Sequence, residues 1–483
     1  MDSNAVLDRS DDEDSYESDN ESNSSNLSTS CAKLSLPEHV LAHIERRQLL
    51  RDTEEVVCDS HLKDNVMNNY VIVKRILSNL SWQDKLLSKN VCHTWHSAVL
   101  ALQREQMSPN DFVVDLHLNQ IRNGVKLKQS GVFHTEPLIV FGFVNDTGIG
   151  ATNKCMVLLP SPCEPPCEKE HSLMDYVHHK ITAPKECMLT VRAHYLSYRP
   201  LTQSTTYDHT IRLRMLKRTF PFLCGIYIPL IPDVKFHVIN ITTNTDLQRD
   251  FYDVLSSLAQ SRIFKGVLVY VTEKFILQSF IEESSYLNYF KEVQPDIPYA
   301  LGGCIVEDTL EQSDNNQLVE SIQKYRFDHD GNDFISENLI TIAMFTVPKS
   351  TSSAEQSGKY NFDMYSLVIE SPDWSKAKIQ KTINEFSKKV PRFEHSVALK
   401  LSCVGRDSKH EIEEDCFRAE FPNTRITGCF GNGELGINHP ARPPIEPSPM
   451  KKQRYNPPVC GLLYSYSTVF VYIGWGKTTA VPP

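Results

Sequence analysis

No run of about 18 apolar residues, the length an α-helix needs to cross a bilayer, occurs in this 483-residue chain. A membrane-spanning helix is therefore not expected, nor is a membrane partner. The first thirty residues lack the apolar core of a secretory signal, which predicts a cytoplasmic and nuclear protein. A basic stripe is missing too: Lys and Arg total 50 against 60 Asp and Glu. Phosphate recognition needs clustered cations, so nucleic acid is not expected as a partner. Cysteine is not scarce, at 13, but the residues are scattered through a long chain without a secretory signal. Free thiols in a reducing compartment are expected. No repeat of fixed short period is visible.

What remains is ordinary globular material, 40% hydrophobic and 23% charged, with room for two to four domains. Its net charge of -10 is unevenly placed, because the first thirty residues hold nine acidic side chains and one base, Arg9. The rest of the chain is close to neutral. The tract DRSDDEDSYESDNESNSSNLSTS is too polar to bury apolar area and is predicted to be disordered. Ser10, Ser15 and Ser18 stand before acidic residues, a context that suits acidophilic kinases, although a solvating tail without regulation is the favoured reading.

The most informative stretch is Val71 to Leu102, VIVKRILSNLSWQDKLLSKNVCHTWHSAVLAL. Ile72, Val73, Ile76, Leu77 and Leu80 fall at helical spacing, Ser81 with Asp84 can cap a second helix, and Leu86, Leu87 and Val91 continue the stripe. Cys92, Trp95 and Val99 line a third face. Three helices of this size cannot cover so many large apolar groups, so part of the surface is expected to await a partner. The pattern of an Ile-Leu-x-x-Leu helix, a Trp-x-Asp-x-Leu-Leu turn and Val-Cys-x-x-Trp resembles an F-box. It departs from that motif at its start, where Asn68-Asn69-Tyr70 stand in place of Leu-Pro. Leu36-Pro37 lies too far upstream to open the same motif.

Beyond Met107-Ser108-Pro109 the chain mixes strands and helices. Strands are expected at Asp111–Leu118, Pro137–Val144, Thr190–Tyr198, Phe220–Leu230, Gly266–Thr272, Tyr299–Ile305, Leu339–Val347, Tyr365–Ile369 and Ser396–Val404. Two more are expected to end at Gly428 and to run from Tyr464 to Ile473. Helices are expected at Phe275–Val293, Asn315–Tyr325, Ser375–Val390 and Glu411–Glu420. This alternation predicts an α+β or mixed α/β fold with layered sheets.

Several motifs fail in context. Gly431-Asn432-Gly433-Glu434-Leu435-Gly436 matches a dinucleotide loop, but the helix whose amides would face a pyrophosphate is replaced by a proline-rich run. Gly476-Lys477-Thr478 lacks the first glycine of a phosphate loop. Asp328 to Ile335 copies half an EF-hand, with Asp333 at the glycine position and Leu339 where the bidentate Glu belongs. Cys163, Cys167, His171 and His178 or His179 could offer zinc ligands, yet read better as a loop with incidental thiols. No metal or cofactor is expected. Cys403 beside Arg406 is the one candidate nucleophile, since an arginine can lower a thiol pKa; no histidine is placed as its base, and a structural cysteine is the expectation.

The C-terminal third is specific again. Ser402-Cys403-Val404-Gly405-Arg406, Phe417-Arg418-x-x-Phe421-Pro422, Gly428 to Gly436 and Tyr464-Ser465-Tyr466-Ser467-Thr468 resemble the FIST C-terminal domain. The two resemblances together imply a tail (1–35), a helical linker (36–65), an F-box (66–109), an N-terminal FIST-like region (110–295) and a FIST C-terminal domain (296–475). They imply a non-catalytic substrate receptor of an Skp-cullin-F-box ubiquitin ligase. Val73, Ile76, Leu77, Leu80, Leu86, Leu87, Val91, Cys92 and Trp95 would meet the Skp adaptor and, through it, the cullin-RING scaffold. The FIST region would present protein targets for degradation by the proteasome. Cys403, Arg406, Gly431, Asn432, Gly433, Glu434 and Gly436 are the candidates for a ligand or substrate surface, although a tight turn between strands is the favoured reading of the glycines. The alternative is a small-ligand sensor that uses the F-box as output.

Overall fold

The computed structural model describes residues 66–119, 122–154, 170–173, 177, 181, 183–184, 187–201, 221–278, 285–310, 338–349, 361–370, 373–442 and 463–479. It opens with α1 (Tyr70–Leu77), α2 (Trp82–Ser88) and α3 (His93–Glu105). Asn69 starts α1 by accepting from the Val71 and Ile72 amides, which satisfies donors that the helix itself cannot. Ser81 caps α2 at the Asp84 amide, as the sequence predicts. Val73 and Leu77 then meet Ala98, Val99 and Leu102 of α3 in a small core of their own.

Three units follow, each with the same order of strands. The first comprises β1 (Asn110–Asn119), β2 (Arg122–Gln129), β3 (Pro137–Val144), the short α4 (Asp146–Ile149), β4 (Thr152–Lys154), β5 (Glu170–Ser172), β6 (Met188–Arg192), β7 (Tyr195–Arg199) and β8 (Phe222–Pro229). The second runs through β9 (Lys235–Ile241), a π-turn into α5 (Asp253–Ser261), β10 (Arg262–Thr272), α6 (Glu273–Gln278), α7 (Ser285–Val293), β11 (Ala300–Val306), β12 (Asp308–Leu310) and β13 (Ile340–Pro348). The third holds β14 (Phe362–Ile369), α8 (Lys376–Ser387), β15 (Arg392–Cys403), α9 (His410–Glu420), β16 (Arg425–Gly431), β17 (Glu434–Gly436), β18 (Leu463–Tyr464) and β19 (Thr468–Thr479).

In every unit the first strand pairs antiparallel with the last, the last pairs antiparallel with the second, and the second runs parallel to the third. These strands are β1, β8, β3 and β6, then β9, β13, β10 and β11, then β14, β19, β15 and β16. After its third strand each unit sends one strand into another unit's sheet. β7 pairs with β16, β12 with β6, and β17 with β11, all antiparallel. The exchange closes a ring of three mixed sheets. Their inner faces share one core, which includes Phe141, Cys224, Tyr270, Cys304, Leu401, Cys429 and Trp475. Their outer faces carry separate layers, the second sheet against α5 and α7 and the third against α8 and α9.

The mixed α/β architecture is as the sequence predicts. Three expected elements are divided, however. Thr190–Tyr198 breaks at Ala193-His194, because β6 belongs to the first sheet and β7 to the third. Tyr464–Ile473 breaks at Ser465-Tyr466-Ser467, with Tyr466 at a positive φ of 54°, so that β18 joins the second sheet and β19 the third. The helix expected at Phe275–Val293 appears as α6 and α7, with 279–284 outside the described residues. The division expected at 295/296 passes between β10 and β11, neighbours in one sheet. The acidic tail, the linker, Cys163, Cys167, His178, His179, the helix at 315–325 and the EF-hand-like segment at 328–335 lie outside the described residues. His171 stands in β5.

Among the described residues, no helix is long and apolar enough to cross a membrane. Close approach of the parallel pairs requires glycine at two matching places. A Cβ on Gly303 would strike the Val269 carbonyl opposite it on β10, and one on Gly428 would strike the Lys400 carbonyl on β15. Gly303→Ala and Gly428→Ala are each expected to lower stability by about 1–3 kcal/mol, read as a lower denaturant midpoint at unchanged slope.

Candidate functional site

Two regions carry the candidate residues. The first is the face of the N-terminal helices turned away from their small core. Val71 is 74% exposed, and Tyr70, Ile72, Ile76 and Val91 are also exposed. Cys92 is exposed, while Leu80, Leu86, Leu87 and Trp95 are half-buried and Val73 and Leu77 are fully buried. The sequence-predicted set thus divides into a packing group and a free apolar group. Trp95 is anchored by its indole N–H, which donates to the Met67 carbonyl at 3.2 Å.

The helices are fixed to the sheets by buried polar contacts. Lys85, on α2, is buried and donates to the His134 carbonyl at 2.9 Å and to Gln106. Burial lowers its pKa to about 8. Thr135 Oγ1 donates to the Gln106 carbonyl, and the Trp475 indole of β19 donates to the Met107 carbonyl at 2.9 Å.

The second region gathers most of the residues predicted around the glycine loop. Gly431 ends β16 and Glu434 begins β17, so the loop is a handover between sheets. The Asn432 amide donates to the Ile305 carbonyl, the Ile305 amide donates to the Gly433 carbonyl, and a Cβ on Gly431 would meet the Ile305 carbonyl. Behind the loop, Glu434 is fully buried. Its Oε2 accepts from the Ser467 amide at 3.1 Å and hydroxyl at 2.8 Å, and its Oε1 has no hydrogen-bond partner. Burial raises its pKa to about 8, against the opposing pull of Ser467 and Arg406.

Arg406 does not lower the Cys403 thiol, as the sequence allowed. Its guanidinium is buried against Glu413 and donates to the Tyr466 carbonyl at 2.7 Å. Burial and the neighbouring Glu434 instead push the Cys403 thiol up. Gly436 pairs with Gly302 on β11, at the far end of β17 from Glu434.

A cluster that the sequence did not signal sits at the handover between the first two units. His194, in the β6–β7 turn, lies between two carboxylates: Nδ1 is 2.6 Å from Asp146 and Nε2 meets Glu307 of the β11–β12 turn. Arg192 Nε donates to Asp146 at 2.8 Å. Partial burial opposes charge on His194, but the two carboxylates outweigh it and raise its pKa to about 9, while Asp146 falls to about 2. The three ligand-type atoms lie within 4.8 Å of one another. With both ring nitrogens engaged and a guanidinium alongside, the arrangement is an ion-pair clasp. Its two carboxylates stand 48 and 113 residues from His194, so no local spacing could announce it.

Comparison with known protein families and with curated proteins finds no match for this chain.

Two pH dependences follow. His194 has a folded-state pKa above its unfolded value near 6.5, so its stabilisation is complete below about 6.5 and is lost as pH rises through about 9. The difference in melting temperature between the native chain and His194→Gln should therefore shrink from pH 6 to pH 9.5. Glu434 is also raised, from 4.5 to about 8, and the folded state holds its proton more tightly than the unfolded state. That advantage fades across pH 4.5 to 8, so Glu434→Gln should gain stability relative to the native chain as pH increases over this window, measured by thermal denaturation.

Proposed function

We propose that this chain is the substrate-recognition subunit of an Skp-cullin-F-box ubiquitin ligase, in which α1–α3 act as an F-box and the three-sheet body, read as a FIST region, holds the protein target. The observation that carries this reading is the exposed apolar group Tyr70, Val71, Ile72 and Ile76 on α1 with Val91 in the α2–α3 turn, beside helices whose opposite faces are already packed. A soluble monomer gains nothing from such a patch, whereas an adaptor-binding surface requires one. The resemblance of the same segment to the F-box motif names the partner. A receptor of this kind breaks and forms no bonds; it raises the effective concentration of target lysines near the ubiquitin-charged enzyme. The fixed attachment of the helices through Lys85, Gln106 and Trp475 suits that task, because it holds a target at a defined place relative to the scaffold.

A second reading, a small-ligand sensor with the F-box as output, draws on the buried Glu434 carboxyl with its unpartnered Oε1. The first reading accounts for the larger surface and is preferred. A thiol enzyme built on Cys403 is disfavoured by the upward shift of that thiol.

The test uses the full-length chain carrying Ile72→Glu, Ile76→Glu and Val91→Glu. Capture of purified Skp adaptor should fall at least tenfold, about 1.4 kcal/mol, while Val132→Glu, at an exposed apolar residue before β3, leaves it unchanged. Equal capture by the triple variant would overturn the docking assignment. A metabolite thermal-shift screen that stabilises the native chain but not Glu434→Gln would favour the sensor.

A further inference from the structure

We infer that the outward face of α8 is the docking surface for the acidic N-terminal segment of the same chain, centred on Asp11 to Glu17. Helix α8 buries Ile379, Ile383 and Phe386 against the third sheet. On the opposite stripe stand Lys378 and Lys381, continued past the helix end by Lys388 and Lys389, and Lys376 flanks them at the first turn. All five are exposed. Glu385 is the one acidic residue between Lys376 and Lys389. It meets Lys381 at 3.9 Å, and both side chains are more than half exposed. Lys378 lies over the Trp374 ring at 4.0 Å, and Lys389 donates to the Ala441 carbonyl. These last two contacts position Lys378 and Lys389 without an acidic partner, while Glu385 faces Lys381 and Glu420 lies near Lys388.

The arrangement goes against helix electrostatics. The amino end of a helix favours acidic side chains, yet the first turn of α8 contains none and carries Lys376 and Lys378. A negative partner would remove that conflict. The chain supplies one: Asp8, Asp11, Asp12, Glu13, Asp14, Glu17, Asp19 and Glu21 lie within fourteen residues that include a single base, Arg9. The dimensions agree. From Lys376 to Lys389 the stripe runs about 20 Å at 1.5 Å per residue, which about six extended residues cover, the length of Asp11 to Glu17. The connection from Glu17 to residue 66 could reach on the order of 160 Å if extended, so tethering does not prevent contact. Tethering also gives the segment an effective concentration of about millimolar, enough for a weak, salt-screened interaction. The eight acids and one base of residues 8–21 are opposite in charge to the five lysines and one glutamate of residues 376–389. An acidic segment of another protein would have to displace the tail to use the lysine face.

The experiment takes the full-length chain, joins carboxylates to amines with a zero-length carbodiimide, and maps the products by mass spectrometry at 50 mM and 500 mM salt. A mixture of ¹⁵N-labelled and unlabelled chains separates links within one molecule from links between two. The expected result is links from residues 8–21 to Lys378, Lys381, Lys388 or Lys389 within one molecule, lost at 500 mM salt. In a second measurement the eight acids from Asp8 to Glu21 are replaced by Asn or Gln. Acylation of Lys378 and Lys381 by a water-soluble acetylating reagent should then rise about threefold or more, with an unchanged melting temperature. Links from the tail that go elsewhere, links only between molecules, or lysine reactivity unaffected by the replacement would each overturn the assignment.

Discussion

The handover of one strand from each unit to the next sheet is the constraint on which the rest of this molecule depends. A four-stranded sheet with one buried face exposes an edge at its third strand, and such edges invite unwanted pairing. Here each exposed third strand, β6, β11 and β16, is covered by a strand that has just left the third strand of another unit. The ring closes because every unit both gives and receives. No unit can therefore complete its sheet alone, and the shared core of Cys224, Tyr270 and Cys429, one residue from each unit, forms only when all three are in place.

The short turns at the handovers have a matching electrostatic character. Between the first and second units, His194 and Glu307 both come from handover turns, and Asp146 comes from the end of a second strand. Between the first and third, β7 arrives with Ser197 and Arg199. Ser197 donates to Glu414, which also accepts from the fully buried Lys400 at 2.9 Å, and Arg199 pairs with Asp415. Arg425 and Tyr198 converge on Asp111 at 2.7 and 2.6 Å. Buried ion pairs add little net stability over apolar packing, but breaking one partner is costly. Their value here is in register: a shift of one residue would separate every one of these pairs as well as turn apolar side chains outward.

The sequence made the elements legible where periodicity was strong and hid how they connect. Pro137–Val144 appears with the bounds expected, and the Ser81 cap with its Asp84 partner is where the pattern places it. Lys235–Ile241 and Asp253–Ser261 carry no sequence expectation, since KFHVINI mixes lysine, histidine and asparagine into an apolar run and DVLSSLAQS is short and serine-rich. The split at Ala193-His194 was invisible for a different reason. Both flanking strands are buried on both faces, so the apolar run continues across a change of sheet. The glycine loop shows in the sequence as a Gly-x-Gly-x-x-Gly match without its helix, but its purpose depends on Ile305, more than a hundred residues away.

The same distinction explains why the two candidate regions differ in how readable they were. The exposed apolar face of the helices is encoded locally, since residues three and four apart share a side, and its surplus of apolar groups shows in thirty residues. The polar centre behind the glycine loop is made from β15, β17 and the turn into β19, and only the closed ring brings Cys403, Glu434 and Ser467 together. A helical face that is local and a three-sheet body that is global can change independently. Substitutions on Val71, Ile72 and Ile76 touch no handover, whereas a change at Glu434 alters the junction of two sheets. The ring therefore confines tolerated variation in the body to loops outside the handovers and leaves the exposed helical face to vary on its own.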